Sequence, residues 1–443
     1  MASTKLSRTA GTPTSNKKFT ISYWVKRSNI GSAGNGHIFD TYVDSTNRSQ
    51  IHFDDDNVID FRLQVSGSNT GRLKTNRVFR NTSAWYHIVA SVDTTLGTAD
   101  DRVKLYINGV QETSFSSRTN PSQNSDFPMA GTHTLGAYGG GTNYFDGTLT
   151  HVHFTDGYSY APTVFGETDS TSGIWKPKTA PSVTYGTNGF FLKFENSGAM
   201  GTDSSGNGNN FTVAGTLTQN VDTPSNNFPI INKAMQPSLA SNATLSNGNL
   251  TSTSNTSDYS ILCSMGVNKG KWYWEVKMGN AANTRSVGVV RADQIVISGN
   301  SSGFYPGGNG NATNFTSAWN GANGFVQTNT NGTQTQVTSN VTTLASGDIA
   351  GVALDLDNYT LKFYKNGTLD GTATLSAAWI EDFVLPCARA DHNQIMHFNF
   401  GSGYFGTTAV SSANADANGH GIMEYAVPTG YYTLNTKNIK EFG

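Results

Sequence analysis

Breaking a glycosidic bond takes two carboxylates across the scissile linkage, about 5 Å apart for retention and further apart for inversion. The strand-like run "WYWEVKMGN" offers Glu275, but the next side chain on that face is Lys277, so the second acid is missing. Asp355 and Asp357 in "ALDLDNYT" read as strand-end and turn residues. In "HFDDDNVID", Asp54 to Asp56 present oxygens of the kind calcium accepts, yet no second ligand set accompanies them, and the run is read as a solvated turn. His151 and His153 have a spacing that could grip a metal with His133, but no clear third ligand emerges and they are read as sheet residues. "GVNKGK" leads into a strand instead of a helix, and "GAYGGGTNYFDG" lacks the βαβ context of a dinucleotide site. No catalytic set, metal site or cofactor is expected.

What remains is recognition. Loops rich in Asn, Asp, Ser and Gly around aromatic rings suit sugars, because rings stack on CH faces while amides and hydroxyls pair with ligand hydroxyls. Two loop sets have this character: Tyr138, Asn143 and Tyr144 in the first half, and Phe304, Tyr305, Asn314 and Trp319 in the second. The same rings could instead fill gaps beneath long loops or touch a neighbouring subunit, with Phe304 and Trp319 the most core-like of them.

The bulk composition permits such a role and excludes others. Of 443 residues only 14% are charged, against roughly 25% in an ordinary globular protein. The polarity comes from Asn, Ser, Thr and 48 Gly, while 24 Phe, 18 Tyr and 7 Trp supply core bulk. A net charge of −2 gives no electrostatic case for nucleic acid or an anionic membrane. No apolar run reaches the roughly 20 residues that span a bilayer, and "MASTKLSRTAGTPTSNKKFT" has no apolar signal-peptide region. A soluble protein made in the cytoplasm is expected. Cys263 and Cys387 lie in apolar, strand-like surroundings and read as buried free thiols.

The elements that must position these residues are strands. "FTISYWVKR" alternates Phe19, Ile21, Tyr23 and Val25 on one face; "AWYHIVASVD" groups Tyr86, Ile88, Ala90 and Val92; "GKWYWEVKM" turns Trp272, Trp274, Val276 and Met278 inward. "GTLTHVHFTDG" sets Leu149, His151 and His153 against Val152 and Phe154. "VKLYINGVQ" and "LKFYKNGTL" each predict a hairpin, because Asn108-Gly109 and Asn366-Gly367 can take the positive φ of a type I′ turn. The expected fold is all-β, two β-sandwiches in tandem: residues 1–165, a Gly/Pro/Asn-rich connector over 166–240 whose strand "NGFFLKFE" packs on the first sandwich, 241–405, and a C-terminal extension over 406–443.

"FTISYWVKR", "AWYHIVASVD", "DRVKLYINGVQ", "HTLGAYGGGTNYFDGTLTHVHFTDG" and "PTVFGE" resemble a laminin-G-like module of the concanavalin A-like jelly-roll type. "GKWYWEVKM", "SVGVV", "GDIAGVALDLDNYTLKFYKNG" and "PCARADHNQIMHFNFGSG" resemble a SPRY domain. The glucanases that share the first fold use a Glu-x-Asp-x-x-Glu motif, which is absent here. With the start "MASTKLSRT", the stretches "YGTNGFFLKF" and "DSSGNGNN", and the ending "MEYAVPTGYYTLNTKNI", the whole is similar to structural proteins of tailed bacteriophages, especially marine ones. That resemblance implies a virion protein, a tail fibre or surface appendage, that binds a host-surface glycan or protein without catalysis and contacts other virion proteins. It implies a homo-oligomer, a trimer by analogy. The alternatives are a capsid decoration or tail-joint protein and, further off, a polysaccharide depolymerase.

Overall fold

The computed structural model describes residues 3–31, 36–139, 141–232, 243–255, 259–280, 285–294, 315–331, 333–337 and 341–443. They fall into two compact units, Met1–Gln219 and Asn220–Gly443. Each is a β-sandwich, and among the described residues the one α-helix in strand-rich surroundings is Thr436–Phe442, capped by the Asn435 side chain.

In chain order the first unit contains β1 (Lys5–Ala10), β2 (Lys18–Arg27), β3 (Gly36–Tyr42), β4 (Arg48–Phe53), β5 (Val58–Val65), β6 (Ser68–Val78), β7 (Trp85–Asp93), β8 (Val103–Ile107) and β9 (Val110–Gln111). These are followed by β10 (Phe115–Thr119), β11 (Gly131–Leu135), β12 (Gly147–Asp156), β13 (Gly166–Thr168), β14 (Trp175–Pro177), β15 (Phe190–Leu192) and β16 (Thr212–Ala214). One sheet runs β10-β6-β5-β4-β3-β11-β1-β16 and the other β15-β12-β2-β7-β8-β9. Their facing sides form the core: Phe19, Ile21, Tyr23 and Val25 from β2 meet Ile51, Phe61 and Leu73 from the wider sheet. Period-two alternation dictates this, since every second side chain of a strand points to the same face.

The expected grouping along β12 is corrected. The register shifts between Thr150 and His153, and His151 takes φ 48, so a bulge inserts one residue and changes the phase of the strand. Leu149 therefore packs against the core that holds Val152 and Phe154, while His153 lies on the outer face.

The stretch after β12 completes both sheets of the first sandwich. β15 pairs with β12 at the edge of one sheet, and β16 pairs with β1 at the edge of the other. Phe190, Leu192 and Phe211 from this stretch are core residues. β13 and β14 form a small hairpin whose Trp175 covers β7 from outside.

The second unit contains β17 (Ala243–Ser246), β18 (Thr251–Ser254), β19 (Tyr259–Leu262), β20 (Lys271–Met278), β21 (Arg285–Arg291), β22 (Thr316–Asn320), β23 (Phe325–Thr330) and β24 (Thr333–Val337). β25 (Ile349–Asp355), β26 (Thr360–Lys365), β27 (Thr368–Thr374), β28 (Val384–Ala390) and β29 (Ile395–Asn399) follow. The sheets are β17-β18-β29-β20-β25-β26-β27 and β19-β28-β21-β22-β23-β24, and Tyr432–Thr433 joins the first by pairing parallel with β20. Trp272, Trp274, Trp319 and Trp379 fill the space between them. Cys263 belongs to this interior, whereas Cys387 sits with Leu262, Val290 and Leu385 in a small separate cluster. Leu262 stands directly opposite Cys387, so the two free thiols project from opposite faces of one sheet.

Candidate binding surface

The outer face of the wider sheet in the first unit is almost entirely polar, and strand register sets its side chains in rows. His37, His52, Asp60 and Lys74 stand side by side across β3, β4, β5 and β6. The next row is Thr134, Asp40, Gln50, Arg62 and Arg72, and a third holds Tyr42, Arg48 and Gln64. Their chain neighbours Phe39, Ile51, Phe61, Leu63 and Leu73 point the other way into the core. The floor is recessed: Asp60 is 0% exposed, Asp40 1%, and His52 and Gln50 5%.

Buried charge persists only when it is paired, and here it is. Asp60 accepts from Arg62 and Arg72, each Nη2 at 2.6 Å. Burial works against its ionised form, but the two guanidinium bonds hold its pKa below the ordinary value. Lys74 bridges Asp54 at 2.7 Å and Asp56 at 3.1 Å. His37 Nδ1 is 2.9 Å from Asp40 and its ring stacks on His52 with centroids 4.5 Å apart. Burial, reinforced by His37, pushes His52 down to about 3, so its ring is neutral at ordinary pH. Burial raises Asp40 despite the His37 bond and the Gly139 N–H at 3.1 Å.

Tyr138 stands at the lip. Its ring meets His37 and Tyr42 edge-on at 5.2 and 5.8 Å, and Arg48 donates to its hydroxyl while lying 5.2 Å from the ring centre. The loop that carries it is pinned by a Tyr138–Thr142 bridge and by Gly141 at φ 85. Asn143, exposed and at φ 50, accepts the His37 backbone N–H through its carbonyl at 3.4 Å, and Tyr144 is half-buried beside Gly141. Four buried polar atoms around this face have no protein partner among the described residues: Arg48 Nε, His52 Nδ1, Gln64 Oε1 and Thr134 Oγ1.

Of the second sequence-predicted set, Trp319 alone lies among the described residues. Trp319 is 0% exposed, its Nε1 donating to the Thr342 carbonyl at 2.9 Å and its ring packed on Phe363, so it is a core residue with no face for a ligand. Phe304, Tyr305 and Asn314 lie outside the described residues.

Other arrangements with chemical potential resolve into structure. Ser22 Oγ lies 2.9 Å from His87 Nε2, as in a nucleophile–base pair, but the Trp175 indole donates to His87 Nδ1 at 2.9 Å. An indole only donates, so Nδ1 must accept and the proton of the neutral ring sits on Nε2, where it points at the serine oxygen. The ring therefore cannot take the serine proton, and both residues are fully buried. His133 lies inside, donating to Met129, while His153 lies outside against Phe191 and Tyr185, so the three histidines do not converge. His52, Asp54 and Asp60 place potential ligand atoms within 4.8 Å of one another, the one such group among the described residues. Their carboxylates are already neutralised by Arg62, Arg72 and Lys74, so the set does not fit a divalent ion. Asp355 accepts from Asn358 and pairs with Lys271, and Asp357 accepts from the Gly270 N–H, as strand-end and turn residues do.

Glu275 is the carboxylate that sequence left unassigned. It is 0% exposed and accepts from the backbone N–H groups of Glu424 and Tyr425, both at 2.9 Å, and from Tyr273 and Asn399 at 3.3 Å. It ties the C-terminal segment onto the outer face of its sheet. Burial outweighs these donors and pushes it up to about 7.

Residues 3–163 match the Laminin_G_3 family, described as the concanavalin A-like lectin/glucanases superfamily, and residues 271–403 match the SPRY domain family. No curated protein sequence matches the chain. Among solved structures, the SPRY domain of human HERC1 is 18% identical with a TM-score of 0.28, covering 35% of this chain and 91% of its own. A human SPRY domain is 14% identical with a TM-score of 0.26, covering 35% and 94%. A native heptameric SAP-like pentraxin from Limulus polyphemus is 17% identical with a TM-score of 0.26, covering 34% and 69%. The chain thus carries a concanavalin A-like domain of the lectin/glucanases superfamily followed by a SPRY domain, two β-sandwiches in tandem.

Proposed function

We propose that this chain is a binding protein of a virion appendage, and that its first sandwich recognises a glycan of the host-cell surface without bond-making chemistry. The observation that carries the binding site is the recessed, charge-compensated floor beneath Tyr138, where half-buried Arg48 and Gln64 and buried His52 and Thr134 each keep a buried polar atom unmatched by protein among the described residues. Leaving such groups without a partner costs roughly 1–3 kcal/mol each, so a ligand rich in hydroxyls has fixed donors and acceptors to meet. Pairing of Asp54, Asp56 and Asp60 with Arg62, Arg72 and Lys74, three acids to three bases, leaves little net charge, which suits a neutral sugar better than a polyanion. The virion assignment rests on the sequence resemblance of the tandem modules, with other virion proteins as partners. Several copies on one appendage would convert weak sites into avid attachment.

The test is binding of the full chain to arrayed oligosaccharides from candidate host envelopes. Arg48→Ala and Tyr138→Ala should each abolish the signal for a bound neutral glycan while the melting curve stays cooperative. Binding that survives both substitutions would remove this face from the proposal, and gold-labelled antibody on purified particles tests the appendage.

A further inference from the structure

The β13–β14 hairpin lies outside the first sandwich and is nearly self-contained. Its strands pair Gly166 with Pro177 and Thr168 with Trp175. In the turn, the Asp169 carboxylate accepts the N–H groups of Thr171 and Ser172 and pairs with Lys176. At the base, the Lys178 N–H donates to the Phe165 carbonyl at 2.9 Å. Residues 167–174 are exposed except for half-buried Asp169. Among the described residues, one hydrogen bond ties residues 166–177 to the sheets, from the Trp175 indole N–H to His87 Nδ1 at 2.9 Å.

That bond sets a condition on the histidine. The His87 ring is fully buried, stacked on Trp24 with centroids 4.7 Å apart and closed from outside by Trp175 at 5.9 Å. Because an indole only donates, Nδ1 must keep its lone pair, and Nε2 carries the one ring proton toward Ser22. A second proton can settle only on Nδ1, where it would face the indole hydrogen. The docked hairpin and a doubly protonated His87 therefore exclude each other. We infer that β13–β14 is a flap latched by the Trp175–His87 bond, and that it swings off the sheet about its Phe165–Lys178 base when His87 gains its second proton. This goes beyond the proposed function and is independent of it.

The charges around the ring do not rescue the docked state. His151 and His153 lie near it on β12, and Lys26 and Tyr106 are its outward neighbours on β2 and β8. On the hairpin, Glu167 and Asp169 pair with Lys176. The charge that acts on the ring is that of His151, which opposes a second proton. Burial, reinforced by His151, pushes the docked ring down to about 3, against an ordinary value of 6.5. The docked state thus refuses a proton that the open state accepts, so each pH unit below 6.5 favours opening by up to about tenfold.

Proton exchange in the uniformly 15N-labelled full chain reads the latch directly, since the Trp175 indole N–H reaches solvent when the flap opens. Its signal is identified by its loss in Trp175→Phe. Protection of that proton, relative to a free indole at the same pH, should fall by up to about a hundredfold between pH 6.5 and 4.5, while the backbone amides of β7 stay protected. His87→Gln, whose amide oxygen can accept the indole N–H without titrating, should remove this pH dependence. An indole unprotected at pH 7, one whose protection ignores pH, or one that loses it in step with the β7 amides would overturn the inference. So would an unchanged pH dependence in folded His87→Gln. Should that variant misfold, the measurement on the native chain still decides.

Discussion

Asn108 and Asn366 hold the same place in the two sandwiches. Asn108 donates its backbone N–H to His87 O and accepts the His87 N–H through Oδ1, both at 2.8 Å. Asn366 makes the same exchange with Ile349, at 2.9 and 2.8 Å. Each is followed by a glycine at φ 82 lying under an aromatic ring from a later part of its own unit, Trp175 over Gly109 and Tyr425 over Gly367. Aligned on this turn, Ser22 corresponds to Glu275 and His153 to Asn399, so both units place buried polar residues at the same two positions of adjacent strands.

Gly109→Ala and Gly367→Ala should both destabilise their units. A side chain at this φ costs about 1–2 kcal/mol by itself, and the new Cβ would stand 3.0 Å from the Trp175 ring or 2.6 Å from the Tyr425 ring. Urea unfolding should rank Gly367→Ala as the more damaging change. Equal or negligible losses would contradict the ring contacts.

A fragment ending at residue 165 should fail to fold, while one ending at Gln219 should melt cooperatively. The shorter piece lacks β15 and β16 and leaves uncovered the core that Phe190, Leu192 and Phe211 complete. Near-ultraviolet circular dichroism of the two fragments decides the matter, and a native spectrum from the short one would refute it.

Glu275 makes the second unit less stable as pH rises. Its folded pKa, about 7, lies above the ordinary 4.5, so between those values the folded state holds the proton that the unfolded chain has lost. The slope is at most about 1.4 kcal/mol per pH unit, for a total near 3 kcal/mol. Glu275→Gln should flatten this part of the profile, which melting between pH 4.5 and 8 would measure.

The buried histidines of the first unit act in the opposite sense. Burial lowers His52 and His87 to about 3 and His133 to about 4, so the unfolded chain takes up protons below 6.5 that the folded one refuses. Stability is lost as pH falls from 6.5 toward those values, by up to about 1.4 kcal/mol per pH unit for each ring. The Gln219 fragment should unfold in mild acid, and a His87→Phe variant should show a shallower decline. An acid profile unchanged in that variant would show that His87 is not among the groups responsible.

Alternation made the core legible before any coordinates: Phe19, Ile21, Tyr23 and Val25, and later Trp272, Trp274, Val276 and Met278, face inward as their spacing requires. The Asn-Gly turns were equally plain, because few residue pairs accept two successive positive φ values. The polar floor was written in the same alternation, as Arg48, Gln50 and His52, then Asp60, Arg62 and Gln64. What a single strand does not contain is register, and only register puts His52 beside Asp60 and Gln50 beside Arg62. Trp319 misled because a Gly-rich run passes without a break into β22, where Phe315, Ser317 and Trp319 alternate inward. The bulge at His151 needs a positive φ that its residue type does not announce.

β1 lies between β11 and β16, so the earliest strand of the first sandwich is completed by the last. On a ribosome, Leu6 must wait for Leu135 and then Val213 to emerge before its two neighbours are in place. Such distant pairings make for slow folding. During that wait the unpaired edges of β1 are open to whatever else is nearby, so nascent chains on one messenger are each other's first hazard, and the speed of translation through residues 136 to 214 sets how long it lasts.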